Sequence, residues 1–161
     1  MAGEEEIFRV FATIHQVRIE DNPTYSSCSN VNCKKKVILG LNSTYNCFQC
    51  NNTSTNCIKR YILPVRISDT TMSKWATAFD EVAQTLMGTS ADNFEASTSE
   101  ARQTAAQGVL LKEFDMTCRV TTTETHRGVI NKFTIIRLKP LDKISYINIK
   151  AQDLINATIN S

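Results

Sequence analysis

Cys28, Cys33, Cys47 and Cys50 form a C-x4-C-x13-C-x2-C run. Two close pairs separated by a short excursion can bring four thiolates onto one tetrahedral ion. Zinc suits four sulfur ligands at roughly 2.3 Å because it imposes no d-electron geometry. With all four positions filled, none stays open for water or substrate, so the predicted ion is one structural Zn2+ rather than a catalytic one. Ser29, Asn30, Asn32, Gln49, Asn51 and Asn52 suit the tight turns that wrap a metal. Two alternatives use the same thiols. A pair of disulfides would suit an oxidising compartment, but no signal peptide precedes the motif and the remaining chain reads as intracellular. A redox C-x-x-C at Cys47 and Cys50 would leave the first pair without a role. Of the two further cysteines, Cys118 sits in a strand-like run and reads as core. Cys57 reads as a packing residue or a competing ligand.

The rest of the composition excludes more than it assigns. The chain has 161 residues, 42% hydrophobic and 21% charged, with a net charge of +2. That length supports one domain with a decorating module and a core that needs no disulfides. The charge is too small to argue for nucleic acid by itself, so the distribution of cations has to carry that argument. No run approaches the ~18 apolar residues of a membrane span, so no membrane partner is expected. There is no Ser-His-Asp set, no phosphate-binding glycine loop and no carboxylate pair in a catalytic context, and the chain does not read as an enzyme. Glu4, Glu5 and Glu6 read as a solvated, frayed start with Met1, Ala2 and Gly3.

The elements that must position these residues follow from periodicity. Alternation predicts a strand over Ile7–Ile19, ended by Asp21-Asn22-Pro23. Residues 24–56 read as a zinc-ribbon insertion with small hairpin strands at Lys36–Leu39 and Tyr45–Phe48. A second long strand covers Cys57–Ser68, where Pro64 argues for an edge or a bulge. A third covers Lys74–Phe79, with Trp75, Thr77 and Phe79 on one face. Asp80 is placed to cap a helix through Met87, with Gly88 as its terminator. One helix is expected from Ala91 to Gln107, then strands over Leu110–Thr123 and Val129–Pro140. A last helix over 143–160 carries Ile144, Ile147, Ala151, Leu154 and Ile155 at helical spacing. Such a stripe suits a helix bundle, and equally a helix folded back on its own domain. Five strands with a helix between the third and fourth is the order of an OB-fold. The predicted fold is therefore all-β with flanking helices, a single five-stranded OB-fold barrel over 1–161 with an inserted ribbon and a C-terminal helix.

Here the chain resembles a known family, the C-terminal DNA-binding domain of the replication protein A large subunit, together with its telomere- and telomerase-associated paralogues. The residues that carry it are the four-cysteine run, the segment Asn32-Cys33-Lys34-Lys35-Lys36-Val37-Ile38, Arg60-x-Ile62-Leu63, Trp75-x3-Phe79 and Lys139-Pro140. The resemblance implies a nuclear, non-enzymatic, single-stranded DNA-binding module in replication, repair or telomere maintenance. It also implies assembly with two smaller subunits through the helix residues Ile144, Ile147, Ala151, Leu154 and Ile155. The alternative it leaves is an assembly module of a telomerase or replication complex with weak DNA binding. Matched residue by residue, Trp75 and Phe79 become base-stacking platforms. Single-strand binders also need cations for phosphates. The candidates are Lys59, Arg60, Arg66, Lys74, Arg119, Arg127 and Lys132, with Lys34, Lys35 and Lys36 leading into the ribbon. The family places a further aromatic near the hairpin after the fourth strand. Here Thr123, Glu124, Thr125 and His126 stand there, so that stacking contact is either missing or replaced by Phe133 or His126.

Overall fold

The computed structural model describes residues 4–160; Met1, Ala2 and Gly3 lie outside them. In chain order come β1 (Glu4–Val17), β2 (Thr24–Ser27), β3 (Ile38–Leu39), β4 (Tyr45–Cys47), β5 (Asn52–Ser54), β6 (Ile58–Ser68) and β7 (Ser73–Phe79). Then follow α1 (Asp80–Met87), α2 (Ala91–Ala96), α3 (Ser99–Gln107), β8 (Glu113–Thr125), β9 (Gly128–Pro140) and α4 (Lys143–Ile159). The predicted barrel strands all form, within a few residues of their expected bounds. Glu4, Glu5 and Glu6 are not a frayed start: they extend β1 and pair with Thr122, Thr121 and Val120.

Pairing runs β1–β6–β7–β9–β8 and back to β1, a closed five-stranded ring. Every junction is antiparallel except β7–β9, which is parallel. This is the OB-fold arrangement, in which closure removes the sheet edges. Period-two alternation fills the ring. Ile14, Leu63, Val65, Ala78, Met116, Cys118 and Ile135 are buried inside it. Tyr61 closes one end, its ring 5.7 Å from that of Phe94 on α2 and its hydroxyl donating to Thr89 O at 3.2 Å. Burial pushes the Cys118 thiol up to about 11, as expected of a core cysteine.

Several local expectations change. Pro64 lies in a strand paired on both sides rather than on an edge. Its carbonyl accepts from Arg18 N–H at 3.0 Å, and the reciprocal bond, which proline cannot donate, falls where β1 ends. The single helix expected over 91–107 is two, because Ser97 turns extended and Thr98 caps the second helix by accepting from Ala101 N–H at 3.2 Å. Asp80 is not the cap of α1; Phe79 holds that position and Asp80 is the first helical residue. Gly88 ends α1 in the left-handed region, at φ 69°, as predicted. β2 joins the barrel sheet by pairing with β6, so the separate ribbon sheet is β3, β4 and β5.

On the outer wall, Arg9 grips Asp115 with two bonds of 2.8 and 2.7 Å, and Lys139 reaches the same carboxylate at 3.2 Å. These partners hold the Asp115 carboxyl below the usual carboxylate range. A depressed folded-state pKa contributes stability that is present above the unfolded value near 3.9 and is lost as pH falls through the folded value. Asp115→Asn is therefore expected to lower the unfolding free energy at pH 7. The gap from the parent should close as pH falls through the folded-state value of Asp115, as read by urea melts across that range.

Candidate nucleic-acid interface and metal centre

The outer face of β6 and β7 is built by one register. Ile62 faces Phe79, Pro64 faces Thr77 and Arg66 faces Trp75, while Tyr61, Leu63, Val65, Ala76 and Ala78 point into the core. The two rings are left 37% and 39% exposed, for Trp75 and Phe79 respectively. A tryptophan and a phenylalanine held on the outside of a closed barrel are partly exposed and have no core partner, which suits stacking. Cations lie over both. The Arg18 guanidinium is 4.5 Å from the Trp75 centroid, and the Lys132 ammonium is 5.9 Å from the Phe79 centroid. Arg66 stands beside Trp75 and donates to Ser73 Oγ at 2.9 Å. Arg119 shares the row of Thr77 and Thr134 two strands away and pairs with Glu5 at 3.0 Å. Arg127 sits in the two-residue turn of the β8–β9 hairpin.

Four predicted contacts lie elsewhere. Arg60 has the same parity as Ile62, but α1 and β2 cover that end of the strand and leave it 8% exposed. Its guanidinium donates to Ser27 Oγ and to Asp80, each at 2.9 Å. Lys59 turns to α2 and pairs with Glu95 at 3.0 Å. Lys74 is opposite the buried Ile67, so it points away from Trp75 and lines a crevice with Phe8 and Met72. Phe133 is in register with the buried Ala76 and meets Phe8 edge-on at 6.4 Å, so it is not a substitute platform. Arg18 is the residue that sequence reading missed. A bulge between Ile14 and Gln16 reverses the alternation of β1, so counting parity from Ile7 puts Arg18 on the wrong face.

The four ribbon thiols converge. Their Sγ atoms all lie within 4.8 Å of one another, with Cys28–Cys50 at 3.4 Å and Cys33–Cys47 at 3.6 Å. Those separations exceed the ~2.05 Å of a disulfide. They match the ~3.8 Å edge of a tetrahedron with 2.3 Å metal–sulfur bonds. In the first knuckle, Asn30 N–H donates to Cys28 Sγ at 3.5 Å, and Cys33 N–H closes the turn by donating to Asn30 O at 2.8 Å. Backbone N–H groups of Cys50 and Gln49 help draw the Cys47 thiol down to about 7, the Cys50 donor being the larger cause. Hydrogen bonding to Cys28 pushes Cys50 up to about 12. Such a set binds protons that a metal must displace. Cys57 packs beside the group and is not one of the four. No carboxylate occurs from Asn22 to Ser68, so no acidic side chain of the ribbon offsets Lys34, Lys35 and Lys36.

The family described as "Replication factor-A C terminal domain" matches residues 7–149. The chain belongs to that family. It is similar to Replication factor A protein 1 of Saccharomyces cerevisiae, 28% identical over 157 residues, covering 96% of this chain and 25% of that protein. The Replication protein A 70 kDa DNA-binding subunit of Xenopus laevis is 28% identical over 148 residues, 89% of this chain and 24% of that one. The chain thus spans about a quarter of the curated relatives it matches. A replication protein A heterotrimer bound to single-stranded DNA superposes with a TM-score of 0.81 at 25% identity, covering 97% of this chain and 36% of that one. Yeast replication protein A bound to single-stranded DNA gives 0.78 at 28% identity, over 94% and 86%.

In this member of the family, Arg60 joins three elements. Ser27 Oγ, itself fully buried, accepts from Arg60 and donates to Ile58 O at 2.9 Å, and Asp80 also accepts from Tyr61 N–H at 3.2 Å. Removing one partner leaves a largely buried charge unpaired. Arg60→Ala is expected to cost about 3 kcal/mol in denaturant melts, with β2 and α1 losing hydrogen-exchange protection first.

Proposed function

We propose that this chain is the single-stranded DNA-binding and assembly module of a replication protein A-type large subunit, acting in nuclear DNA replication or repair, with one structural zinc in its ribbon. The observation that carries the reading is the open Trp75–Phe79 face, lined by Arg18, Arg66 and Lys132. Bases would stack on the two rings, and the backbone would run past the cations. The role is binding rather than catalysis, in line with relatives named as DNA-binding subunits. Cys28, Cys33, Cys47 and Cys50 would hold the zinc, which supplies folding energy to a ribbon too small to bury a core of its own.

Assembly is argued from α4. It is 17 residues long and none of them is buried. Its base is held by Asp142, which accepts from Ile144 N–H at 3.1 Å, and by Tyr146 meeting Phe11 edge-on at 5.1 Å. Ile144, Ile147, Leu154 and Ile155 are 73%, 63%, 70% and 52% exposed, and Ala151 is exposed beside them. A lone helix of this length is marginal in water. Smaller subunits of the same complex are the partners that would cover it. A second reading, an assembly module of a telomerase or replication complex with weak DNA affinity, is favoured by the inward turn of Phe133, which leaves two stacking rings.

Purified protein is expected to carry one zinc per chain by elemental analysis. Cys33→Ser should lose it, and retention should fall as pH is lowered, because protons compete for the thiolates. Intact thiols with no zinc would overturn the metal assignment.

Trp75→Ala or Phe79→Ala should each cost about 1–3 kcal/mol of single-strand affinity and spare co-purification with the smaller subunits. The pair Ile147→Glu and Leu154→Glu should do the reverse. Equal loss of both properties in either variant would mean that the face and the helix are not separate surfaces.

A further inference from the structure

Both groove aromatics carry a cation that has no carboxylate of its own. Arg9, Lys34, Lys59, Arg60, Arg119 and Lys139 each form an ion pair. Among the described residues, Arg18 and Lys132 form none, and their positive ends rest over Trp75 and Phe79 instead. Arg18 also borders a cleft of about 300 Å3 whose other walls include Trp75, Thr77, Ile130 and Lys132. The backbone of Arg18 is tied down by its N–H bond to Pro64 O at 3.0 Å, so only the side chain is free to swing.

The position of the guanidinium creates a conflict. At 4.5 Å from the centroid it occupies one face of the Trp75 ring. A stacked base needs that same layer, with atoms about 3.5–4.0 Å from the ring. Both cannot share the face. We propose that Arg18 is a parked phosphate ligand, which covers Trp75 in the free protein and passes to a backbone phosphate when a base takes its place on the ring. The inference rests on the single-strand reading above. The exchange is chemically even-handed: the base replaces the cation on the ring, and the phosphate replaces the ring as the partner of the cation. A guanidinium suits both sites, since it stacks flat on aromatics and forks onto phosphate oxygens. Until then the parked side chain keeps the Trp75 face covered and the charge unspent.

Trp75 is the sole tryptophan of the chain and reports on its own face. The experiment titrates the intact protein and two variants with an oligothymidylate single strand over a range of salt, following tryptophan emission. Arg18→Ala is expected to weaken binding about three- to tenfold at low salt, and to make the slope of log K against log salt shallower by about 0.7, the value of one single-strand phosphate contact. Arg18→Lys keeps the charge but not the flat stack, so it should retain the parental slope while shifting the emission of the free protein as Arg18→Ala does. DNA should quench Trp75 in the parent and in both variants. An Arg18→Ala slope equal to the parent's overturns the exchange. So does emission that DNA quenches in Arg18→Ala but leaves unchanged in the parent, because the guanidinium would then stay on the ring. If the parent binds no single strand at any salt, the single-strand reading falls and the exchange falls with it.

Discussion

The register between β6 and β7 is the constraint on which the rest depends. It sets Leu63 against Ala78 and Val65 against Ala76 inside the ring, and in the same stroke sets Ile62 against Phe79 and Arg66 against Trp75 outside. The small alanines matter here, because they let β7 approach the core closely while both aromatic residues of the strand fall on the other face. A slip of β7 by one residue would turn Trp75 and Phe79 inward and expose Ala76 and Ala78. Core stability and the candidate DNA face are thus two sides of one hydrogen-bonded ladder.

The ribbon is attached to this barrel by polar contacts rather than by a shared core. Its own apolar cluster is small: Cys28, Val37 and Cys47, with Cys33, Tyr45 and Cys57 packed at its margin. A cluster of that size does little to offset the entropy of ordering the segment, and the converged thiols beside it are the groups that could hold a cross-linking metal. The Ser27–Arg60–Asp80 chain then ties the base of the insertion to β6 and α1. A buried charge network of this kind is geometrically demanding, and it fixes an orientation more than it adds stability.

At the opposite extreme stands α4, which touches the barrel mainly through Tyr146 on Phe11. The same outer wall holds the Arg9–Asp115–Lys139 cluster, so the helix leaves from a stiff base. Groove and helix therefore sit on different parts of the ring: β6, β7 and the first half of β9 carry the first, and β1 with the end of β9 carries the root of the second.

The sequence by itself determined what depends on residue type and short-range spacing. Four cysteines at two close spacings mark a thiol cluster that could hold a metal, and the four do converge. Alternation marks five long strands, and Gly88 ends α1 because little else tolerates its backbone angle. Only the tertiary structure decided which cations meet the aromatics. Arg60 and Lys59 follow strand parity on paper, yet α1, α2 and β2 close over that end of β6 and claim both for Asp80 and Glu95. Phe133 turns inward because parallel pairing puts it beside Ala76, a register that no local pattern encodes. Arg18 reaches Trp75 because one extra residue at Ile14–Gln16 reverses the faces of β1. Bulges, coverage by distant elements and strand partnership are long-range properties, and they set where a side chain points after its type has been chosen.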